Sequence, residues 1–381
     1  MKKVGYLGPR GTFTEAAAQK YCGGSPAELV CCPGLPEIVA AVEGGQLDQG
    51  VVPLENSTEG AVGQLLDLVA RASGIMFCGE VVLRVQHHLM VRPGTPRSRI
   101  SRVLSHPQAL AQCRNYLARQ LPGTDAEETV STARAAELVA ACGEPWAAIG
   151  THLAAVNHGL EILDSGIQDS VENATRFIVL GRQDAEQEPH CRTSLVVEVR
   201  DRPGALYGIL REFALREVNL TRIESRPVKK RLGQYLFFID LEGHRSQEAV
   251  KSAIQSVQRK AANLKVLGSY PRDLEAESAD PAGPAQILSD IGEIRSEIDL
   301  VDSQIVDLIA IRAALVEKIG PMKRDPASVR DPAREEQVLD RVRAVAAEKG
   351  ADPELIGDIF RYMISRSVER QKDVLRNSSI H

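Results

Sequence analysis

The sequence predicts a multidomain protein with an α/β domain, an α+β domain and an all-α domain, in that order. Three observations support this prediction. Short apolar runs alternate with helical patterns over residues 1–181, the order βαββαβ fits residues 193–270, and a heptad-like apolar repeat begins near residue 287. Residues 182–192 are polar with a proline, and residues 271–286 are rich in Pro, Ala, Glu and Asp, so we interpret both stretches as linkers.

The composition excludes several classes of protein. The 381 residues are 43% hydrophobic and 25% charged, as in ordinary globular proteins, and the formal net charge is −5. The chain has no basic run, which argues against nucleic acid as a partner. No apolar stretch approaches the ~18 residues of a membrane span or forms a signal peptide, so we expect no membrane partner and a cytoplasmic location. The seven cysteines lack metal-site spacing and are expected to be reduced thiols.

The first domain is predicted from alternating strands and helices. The predicted strands are Lys3–Leu7, Gly50–Leu54, Val103–Ser105, Ala147–Gly150 and Phe177–Gly181. The predicted helices are Thr14–Tyr21, Ala61–Ala72, Gln108–Gln120 and Thr132–Ala140. Polar residues at strand ends are where open α/β sheets bind ligands, so the segments that join these elements are the candidate site.

Four polar segments beside these strands form a set. They are Gly8–Thr14, Pro53–Ser57, Ser105–Gln108 and Asn173–Phe177. Each alone is compatible with an ordinary turn, although the first precedes a helix start whose free N–H groups favour an anion. Together with the Ser131–Ala133 turn, the set resembles prephenate dehydratase over nearly all of residues 1–181.

This resemblance implies a fold and a chemistry. Family members have two α/β lobes around a cleft, like a periplasmic binding protein, and convert prephenate to phenylpyruvate, CO₂ and water without a metal or organic cofactor. Thr175 would donate to the leaving hydroxyl, and Arg176 would hold a carboxylate. The other implied substrate-binding residues are Thr12, Glu55, Asn56, Gln108 and Phe177. His106 has the chemistry of an acid, but a turn or a helix start is the more ordinary explanation.

The second domain is predicted to be ferredoxin-like. Its predicted elements are Leu195–Val199, Gly204–Arg216, Leu220–Ser225, Tyr235–Leu241, Gln247–Ala262 and Lys265–Ser269. Pro203–Leu206 and Glu224–Pro227 resemble the two motifs of the ACT domain of dehydratases, although simple turns would also explain them. The resemblance implies that L-phenylalanine binds at a dimer interface and favours a less active state. The implied allosteric residues are Gly204, Ala205, Leu206, Glu224, Ser225, Arg226 and Pro227.

The third domain is predicted to be all-helical. Apolar residues from Ile287 to Leu308 recur at alternating steps of four and three and predict one long helix. Asp331-Pro332 and Asp352-Pro353 each resemble an N-cap followed by proline, and they predict two further helices. Arg312 falls in the apolar seam, where a guanidinium is costly unless an internal carboxylate or a bound anion meets it.

Two further cations can be placed relative to Arg312. Lys323 is 11 residues further on, at nearly the same helix face and ~16 Å away, so the two side chains could bracket a small dianion. Arg295 is 17 residues earlier, ~25 Å away and about 100° round the helix, so it would reach such a ligand only from a second chain. The long helix therefore predicts an intertwined dimer.

Two pairs of polar residues share faces of the later helices. Asp331 with Glu335, and Ser367 with Gln371, are i,i+4 pairs, although a helix cap or a solvated face would also explain them. The whole set resembles the all-helical chorismate mutase family over residues 287–376. The residues that carry this resemblance are Arg295, Asp302, Arg312, Lys323, Arg330, Asp331, Glu335, Ser367 and Gln371. The resemblance implies that Glu335 and the Asp331 region hold the ring hydroxyl, and that Ser367 seats the ring-side carboxylate.

The family reaction rearranges chorismate to prephenate without a nucleophile or a proton transfer. By resemblance, Arg312 and the partner subunit's Arg295 would clamp the two carboxylates, and Lys323 and Gln371 would donate to the ether oxygen. Gly320-Pro321 departs from the family pattern. We expect this proline to kink the long helix, displace Lys323 and weaken the mutase activity.

The sequence therefore predicts a bifunctional enzyme of phenylalanine biosynthesis with domains at 1–181, 193–270 and 287–381. It would convert chorismate to prephenate and prephenate to phenylpyruvate, under feedback by L-phenylalanine, as a homodimer or larger homo-oligomer. The mutase lies C-terminal here, whereas it often comes first in similar fusions. Two alternatives stay open: an arogenate dehydratase with a weak or inactive mutase domain, and a non-catalytic amino-acid-binding regulator.

Overall fold

The chain folds into two compact units, Met1–Gly283 and Pro284–His381. The first unit contains three β-sheets, and the second is helical. No helix in the described part of the chain is long and apolar enough to cross a membrane. The computed structural model describes residues 1–170, 172–228, 235–274, 291–319 and 330–378.

The first lobe of the first unit is a mixed sheet flanked by helices. In chain order it begins with β1 (Lys2–Leu7), α1 (Phe13–Cys22), β2 (Ala27–Cys32), α2 (Leu35–Glu43), β3 (Gln49–Asn56), β4 (Gly60–Ala61), α3 (Gly63–Arg71) and β5 (Met76–Arg84). Because successive side chains of a strand point to opposite faces, Val51 packs under α1 while Val52 packs with α2 and α3. The sheet is therefore buried on both faces.

The chain then crosses to a second lobe and returns. The second lobe contains β6 (His88–Val91), β7 (Arg102–Ser105), α4 (Pro107–Gln112), α5 (Arg114–Gln120), β8 (Asp125–Glu128), α6 (Thr132–Ala141), β9 (Trp146–Gly150), α7 (His152–His158) and β10 (Glu161–Ser165). The returning strand β11 (Ala174–Gly181) pairs antiparallel with β3 and β5. The strand orders are β2-β1-β3-β11-β5 and β10-β6-β9-β7-β8. The predicted two-lobed α/β fold is confirmed.

Local predictions for these lobes differ from the structure in two ways. The predicted helix Gln108–Gln120 is divided into α4 and α5, because Cys113 leaves the helical conformation at φ −112° and ψ 16°. Several strands were not predicted from sequence. One of them, β8, is exposed along its whole length and therefore carries no apolar pattern.

Residues 191–271 form the predicted ferredoxin-like module. Its elements are β12 (Cys191–Glu198), α8 (Ala205–Ala214), β13 (Leu220–Pro227), β14 (Tyr235–Glu242), α9 (Glu248–Lys260) and β15 (Asn263–Pro271). The strand order is β13-β14-β12-β15, and α8 and α9 cover one face of the sheet. The opposite face is buried against the first lobe and continues its core. The residues of that face in the shared core are Val196, Phe238, Leu267 and Tyr270.

Two features of β15 bring the module close to the first lobe. A Cβ at Gly268 would lie 2.2 Å from the carbonyl oxygen of Phe77 on β5, so this position requires glycine. Lys265 donates to the carbonyl oxygens of Val69, at 2.6 Å, and Ala72 at the end of α3. A cation there complements the negative end of the helix dipole.

The stretch 182–192, interpreted from sequence as a linker, is packed in the structure. The Ser269 N–H donates to Asp184 Oδ1 at 2.8 Å, and the Ala185 N–H donates to the Ser269 carbonyl oxygen at 3.3 Å. Ala185 also packs against the shared core. Polar composition alone did not reveal these contacts, because they are made by backbone groups and by one side chain. Most of the second predicted linker, residues 275–286, lies outside the described residues.

The second unit contains three helices, α10 (Ile291–Ile319), α11 (Pro332–Glu348) and α12 (Pro353–Ser378). The two predicted N-caps are confirmed. Asp331 accepts from the Arg334 N–H at 3.0 Å, and Asp352 accepts from the Glu354 N–H at 2.9 Å. The predicted kink at Gly320-Pro321 lies outside the described residues.

Candidate active sites

A cleft of about 460 Å³ lies between the two lobes of the first unit. The four polar segments singled out from the sequence meet there, as expected for strand ends and helix starts of an α/β fold. The described lining residues are Thr12, Phe13, Thr14, Pro53, Glu55, Asn56, Glu59, Gly60, Ala61, Val62, Val85, His87, His106, Gln108, Ala109, Gln112, Val130, Ser131, Thr132 and Thr175.

Asn56 fixes the orientation of the Thr175 hydroxyl. Its Nδ2 donates to Thr175 Oγ1 at 2.9 Å and to Asn173 Oδ1 at 2.9 Å. The amide is held in this orientation because its Oδ1 accepts from the N–H groups of Thr58, at 3.0 Å, and Glu59, at 3.2 Å. Since the Thr175 oxygen accepts from Asn56, its own proton can be donated to a group in the cleft.

The turn before α1 connects the two lobes at the edge of the cleft. Gly11 adopts φ +84°, and a Cβ there would lie 3.0 Å from the Cα of Ala154 in the second lobe. Thr151 Oγ1 donates to the Gly11 carbonyl oxygen at 2.7 Å. Thr12 is the N-cap of α1, and its Oγ1 accepts from the Glu15 N–H at 3.4 Å. The predicted site residue Thr12 therefore also organises a helix start.

Helix starts, rather than cationic side chains, supply positive potential in the cleft. The N-caps of α1 and α6 are Thr12 and Ser131, and both line the cleft. The N-terminal end of a helix carries a partial positive charge that favours anions. None of the described lining residues is lysine or arginine, and the lining carboxylates are those of Glu55 and Glu59.

Arg176 and Phe177 do not line the cleft, contrary to the expectation from sequence. The Arg176 side chain is only 9% exposed. Its guanidinium donates to the side chains of Glu55, Glu80, Asp240 and Tyr270. Phe177 is buried with Tyr6 in the core beneath α1. Side chains alternate along β11, so Arg176 lies on the face opposite Thr175, whereas Phe177 lies on the face of Thr175 but deeper, under α1.

The lining residues that the sequence did not reveal include His87 and Gln112, whose side chains contact each other. His87 Nε2 lies 2.9 Å from Gln112 Oε1, and burial lowers the pKa of His87, which favours the neutral imidazole. Gln112 is four residues after Gln108 on α4, and this spacing could have revealed it. His106 is the N-cap of α4, and its Nδ1 accepts from the Gln108 N–H at 3.3 Å. That is the more ordinary role considered for it.

The residues implied to bind L-phenylalanine do not all lie on the same face of the ferredoxin-like module. Gly204–Leu206 lie at the start of α8, with φ +75° at the glycine. On β13, Ser225 pairs with Phe237, which packs with the helices, so Ser225 is on the helix-covered face of the sheet. Side chains alternate along a strand, so Glu224 and Arg226 are on the opposite face, toward the first lobe.

Arg226 contacts the first lobe. Its Nη2 lies 3.6 Å from Asp67 Oδ1 and 3.5 Å from the Gly63 carbonyl oxygen, both on α3. Pro227 ends β13 and is exposed. The predicted motif therefore includes one side chain, Arg226, that contacts α3, the helix that directly follows the cleft-lining residues 60–62.

In the second unit, a cavity of about 440 Å³ lies between α10 and α12. Its described lining residues are Ile309, Arg312, Ala313, Val316, Glu317, Tyr362, Met363, Arg366, Ser367, Arg370 and Gln371. Arg312 Nη1 donates to Ser367 Oγ at 3.3 Å, and Arg312 Cζ lies 6.0 Å from the centre of the Phe360 ring. Gln371 Nε2 donates to the Val316 carbonyl oxygen at 2.9 Å. Three predicted site residues are thus brought together.

The remaining predicted residues of this unit lie apart from that cavity or outside the described chain. Glu335 lines a separate cavity of about 210 Å³, and its Oε1 is 3.4 Å from Arg330 Nε. Asp331 is the cap of α11. Arg295 belongs to α10, and Lys323 lies outside the described residues.

Comparison with known proteins gives three family matches. The prephenate dehydratase model matches residues 4–185, the ACT domain model matches 193–259, and the chorismate mutase type II model matches 294–372. A bifunctional chorismate mutase/prephenate dehydratase of Aquifex aeolicus is 42% identical over 275 residues, which are 72% of this chain and 75% of the relative.

The solved structures that resemble the chain include two that cover most of its length. One is a prephenate dehydratase from Arthrobacter aurescens in complex with L-Phe, with a TM-score of 0.67 and 37% identity over 80% of this chain and 99% of that chain. The other is GqqA, described as a novel type of quorum quenching acylase, with a TM-score of 0.65 and 31% identity over 71% of this chain and 98% of that chain. One fold can host different activities, so chemistry has to be argued from the cleft residues.

Proposed function

The chain belongs to the bifunctional chorismate mutase/prephenate dehydratase family, and we propose that the Thr175 hydroxyl is the hydrogen-bond donor of its dehydratase step. The observation that supports this role is the 2.9 Å hydrogen bond from Asn56, which leaves the Thr175 proton for a group in the cleft. For the three functional domains we propose the bounds 1–181, 193–270 and 287–381.

In the dehydratase step, the bond between the ring and its carboxylate breaks, and the electron pair enters the ring. The ring becomes aromatic as the hydroxyl leaves the opposite ring carbon, giving CO₂, phenylpyruvate and, once the leaving oxygen has taken up a proton, water. Negative charge develops on that oxygen, so a hydrogen bond from Thr175 stabilises the transition state more than the ground state. Asn56 contributes by orienting Thr175.

The two carboxylates of prephenate need a binding site other than Arg176, which was predicted from the sequence to hold one of them. Arg176 is fully engaged with protein carboxylates and a tyrosine, and no described lining residue is cationic. We infer that the starts of α1 and α6 hold the two carboxylates, with Thr12 and Gln108 as polar neighbours. Glu55 faces the cleft as a carboxylate acceptor, while Arg176 acts on the cleft only through Glu55.

For the mutase step, we propose that chorismate binds in the cavity of Arg312, Ser367 and Gln371. Arg312 offers a fixed cation to a carboxylate, and Gln371 offers an amide donor to the ether oxygen, on which charge increases in the transition state. The other residues proposed for this site, by family resemblance, are Lys323, Asp331, Glu335 and the partner subunit's Arg295.

We propose that a second copy of the chain covers α10. Its seam residues Val301, Ile305, Leu308 and Leu315 are between 49% and 56% exposed. Such a row of large apolar side chains at heptad-like spacing is typical of a helix that packs against a partner. Light scattering of the purified chain should give a dimer or a larger oligomer, and a monomer at micromolar concentration would contradict the proposal.

We also propose that L-phenylalanine inhibits the dehydratase through the ACT module, which is supported by the ACT match and by the relative crystallised with L-Phe. The start of α8 and Ser225 would contact the effector, while Glu224 and Arg226 face the first lobe. Calorimetry should detect L-phenylalanine but not D-phenylalanine, and the L-isomer should slow prephenate turnover. Equal effects of the two isomers would argue against a specific site.

The test of both activities is an NMR time course of the purified chain with chorismate. Phenylpyruvate should appear after transient prephenate. Thr175→Val should slow dehydration by about 10²–10³-fold and leave chorismate consumption unchanged, because one transition-state donor is lost. Thr175→Ser keeps the hydroxyl and is the matched control. Arg312→Ala should abolish chorismate consumption and leave prephenate dehydration unchanged.

Two outcomes would change the proposal. Equal loss of both activities in either variant would contradict separate sites. Arogenate, assayed beside prephenate, tests the alternative substrate, since it differs by an amino group in place of the keto group. Faster turnover of arogenate would assign the cleft to that substrate.

A further inference from the structure

The carboxylate of Glu55 lies in the cleft wall, but its two ion-pair partners lie behind that wall. Oε1 is 3.1 Å from Nη1 of Arg176, and Oε2 is 2.7 Å from Nε of Arg222. Neither arginine is among the described lining residues. Arg222 belongs to β13, the strand of the regulatory module that carries the Glu224–Pro227 motif. A cleft residue is therefore held directly by the regulatory sheet.

Arg222 is part of a closed cluster of charges between the module and the first lobe. Its side chain is 10% exposed, and it lies opposite Asp240 in the pairing of β13 with β14. The cluster contains three carboxylates and three guanidinium groups, which cancel in formal charge. Its members are Glu55, Glu80, Asp240, Arg176, Arg192 and Arg222.

Within this cluster, Arg222 is the arginine best suited to control Glu55. Arg176 is already committed to Asp240 and Glu80, both at 2.7 Å. Arg222 makes its short contact with Glu55, while its buried Nη2 has no hydrogen-bond partner among the described residues. Loss of Arg222 would leave one Glu55 oxygen without its closest cation, whereas Asp240 and Glu80 would keep their contacts with Arg176.

The strand that carries Arg222 touches both ends of one cleft wall. Arg222 holds Glu55 at the end of β3, and Arg226, two alternations along the same face, contacts Asp67 on α3. The lining residues Asn56, Glu59, Gly60, Ala61 and Val62 all lie between these two contacts. Asn56, the residue that orients Thr175, directly follows Glu55. A shift of β13 would therefore move the wall that positions the hydroxyl.

We propose that Arg222 is a positioning residue of the dehydratase, which holds Glu55 and the adjoining wall in place from the regulatory module. The proposal rests on the dehydratase function of the cleft. Its physical basis is that a charged hydrogen bond with little solvent access is strong and directional. Displacement of reacting groups by about 1 Å can cost about 10²-fold in rate.

The test compares Arg222→Met with Arg222→Lys in the full chain, with Arg211→Met as a control at an exposed arginine of α8. Arg222→Met should lower kcat/KM for prephenate by about 10- to 100-fold, mainly through kcat. Arg222→Lys should recover part of this loss, because it restores the charge without the planar donor geometry. Chorismate consumption should stay unchanged in all three variants because it depends on the second unit, and the fluorescence of Trp146 reports that the first unit is folded.

A second background separates positioning from general packing. In a Glu55→Gln chain, Arg222→Met should change the remaining dehydration by less than about 2-fold, because its target carboxylate is already absent. The same fold loss in both backgrounds would overturn the proposal, since Arg222 would then act through domain packing. An active Arg222→Met enzyme would also overturn it. Failure of the unsubstituted chain to convert prephenate would instead overturn the proposed function of the cleft.

Discussion

Replacing Asp240 by asparagine should lower the free energy of unfolding of the first unit by about 3 kcal/mol, because it removes a buried charge from a neutral cluster. Asp240 is 2% exposed and accepts from Arg176 Nη1 at 2.7 Å and from Ser194 Oγ at 2.5 Å. Asparagine can keep the Ser194 hydrogen bond, so the loss is the charge opposite Arg176.

The size of this effect follows from what Arg176 retains. Breaking a buried ion pair typically costs about 3–5 kcal/mol. After the substitution Arg176 still contacts Glu80 at 2.7 Å and Glu55 at 3.1 Å, which places the expected cost at the lower end. A matched control is Glu137→Gln, which removes the exposed Arg134–Glu137 pair and should cost at most about 0.5 kcal/mol.

Urea unfolding followed by tryptophan fluorescence measures this difference in the full chain. The chain has a single tryptophan, Trp146 on β9, so the signal reports on the first unit. With a slope of about 3 kcal/mol/M, a loss of about 3 kcal/mol moves the midpoint by about 1 M. A midpoint within about 0.3 M of the unsubstituted chain would refute the reasoning, because the cluster would then contribute too little to hold the module.

The pH dependence of the same difference has a defined sign. Burial acts to raise the pKa of Asp240, but the charges of Arg176 and Arg222 outweigh it and hold the pKa below its ordinary value. A carboxylate with a lowered pKa contributes stability that is present above its unfolded value of about 3.9 and is lost as pH falls through the folded value. The effect of Asp240→Asn should therefore be constant between about pH 6 and 8.

Three further predictions use the same unfolding measurement. Gly268→Ala should destabilise the unit by about 1–3 kcal/mol, since its Cβ would lie 2.2 Å from the Phe77 carbonyl oxygen; an unchanged midpoint would contradict the close approach. Lys265→Met should lower the free energy of unfolding by about 1–2 kcal/mol, because the carbonyl oxygens of Val69 and Ala72 lose their donor; disappearance of this loss at raised salt would contradict a direct contact. Burial lowers the pKa of His87, so stability should fall as pH drops below about 6.5; His87→Asn should reduce that slope, and an identical slope would exclude His87 as its source.

The sequence was sufficient to predict those cleft residues that lie at the ends of strands. Glu55, Asn56 and Thr175 end neighbouring strands, and the fold brings such ends to one edge. The partners of Arg176 could not be predicted, because they are carboxylates contributed by β3, β5 and β14, which are distant in sequence. His87 was not predicted, since it lies in the short connection between β5 and β6 rather than in one of the four polar segments.

The helical unit shows the same division between local and long-range information. Heptad-like spacing was sufficient for α10, and Asp-Pro pairs were sufficient for the starts of α11 and α12. Arg312 stood out in the sequence because it interrupts an apolar seam, and it does line a cavity with Ser367 and Gln371. Separation of Glu335 from that cavity depends on how the three helices pack, which spacing along a single helix does not encode.

The close approach at Gly268 makes the ACT module inseparable from the first lobe. The first lobe and the sheet of the ACT module bury each other's apolar surfaces, so a chain cut before β12 would expose the lobe and a fragment beginning at β12 would expose Val196, Phe238 and Tyr270. Neither piece keeps a closed core. Deletion of the ACT module would consequently destabilise the first lobe. Under the proposed inhibition by L-phenylalanine, insensitivity to the effector would have to arise by point substitutions within an intact module.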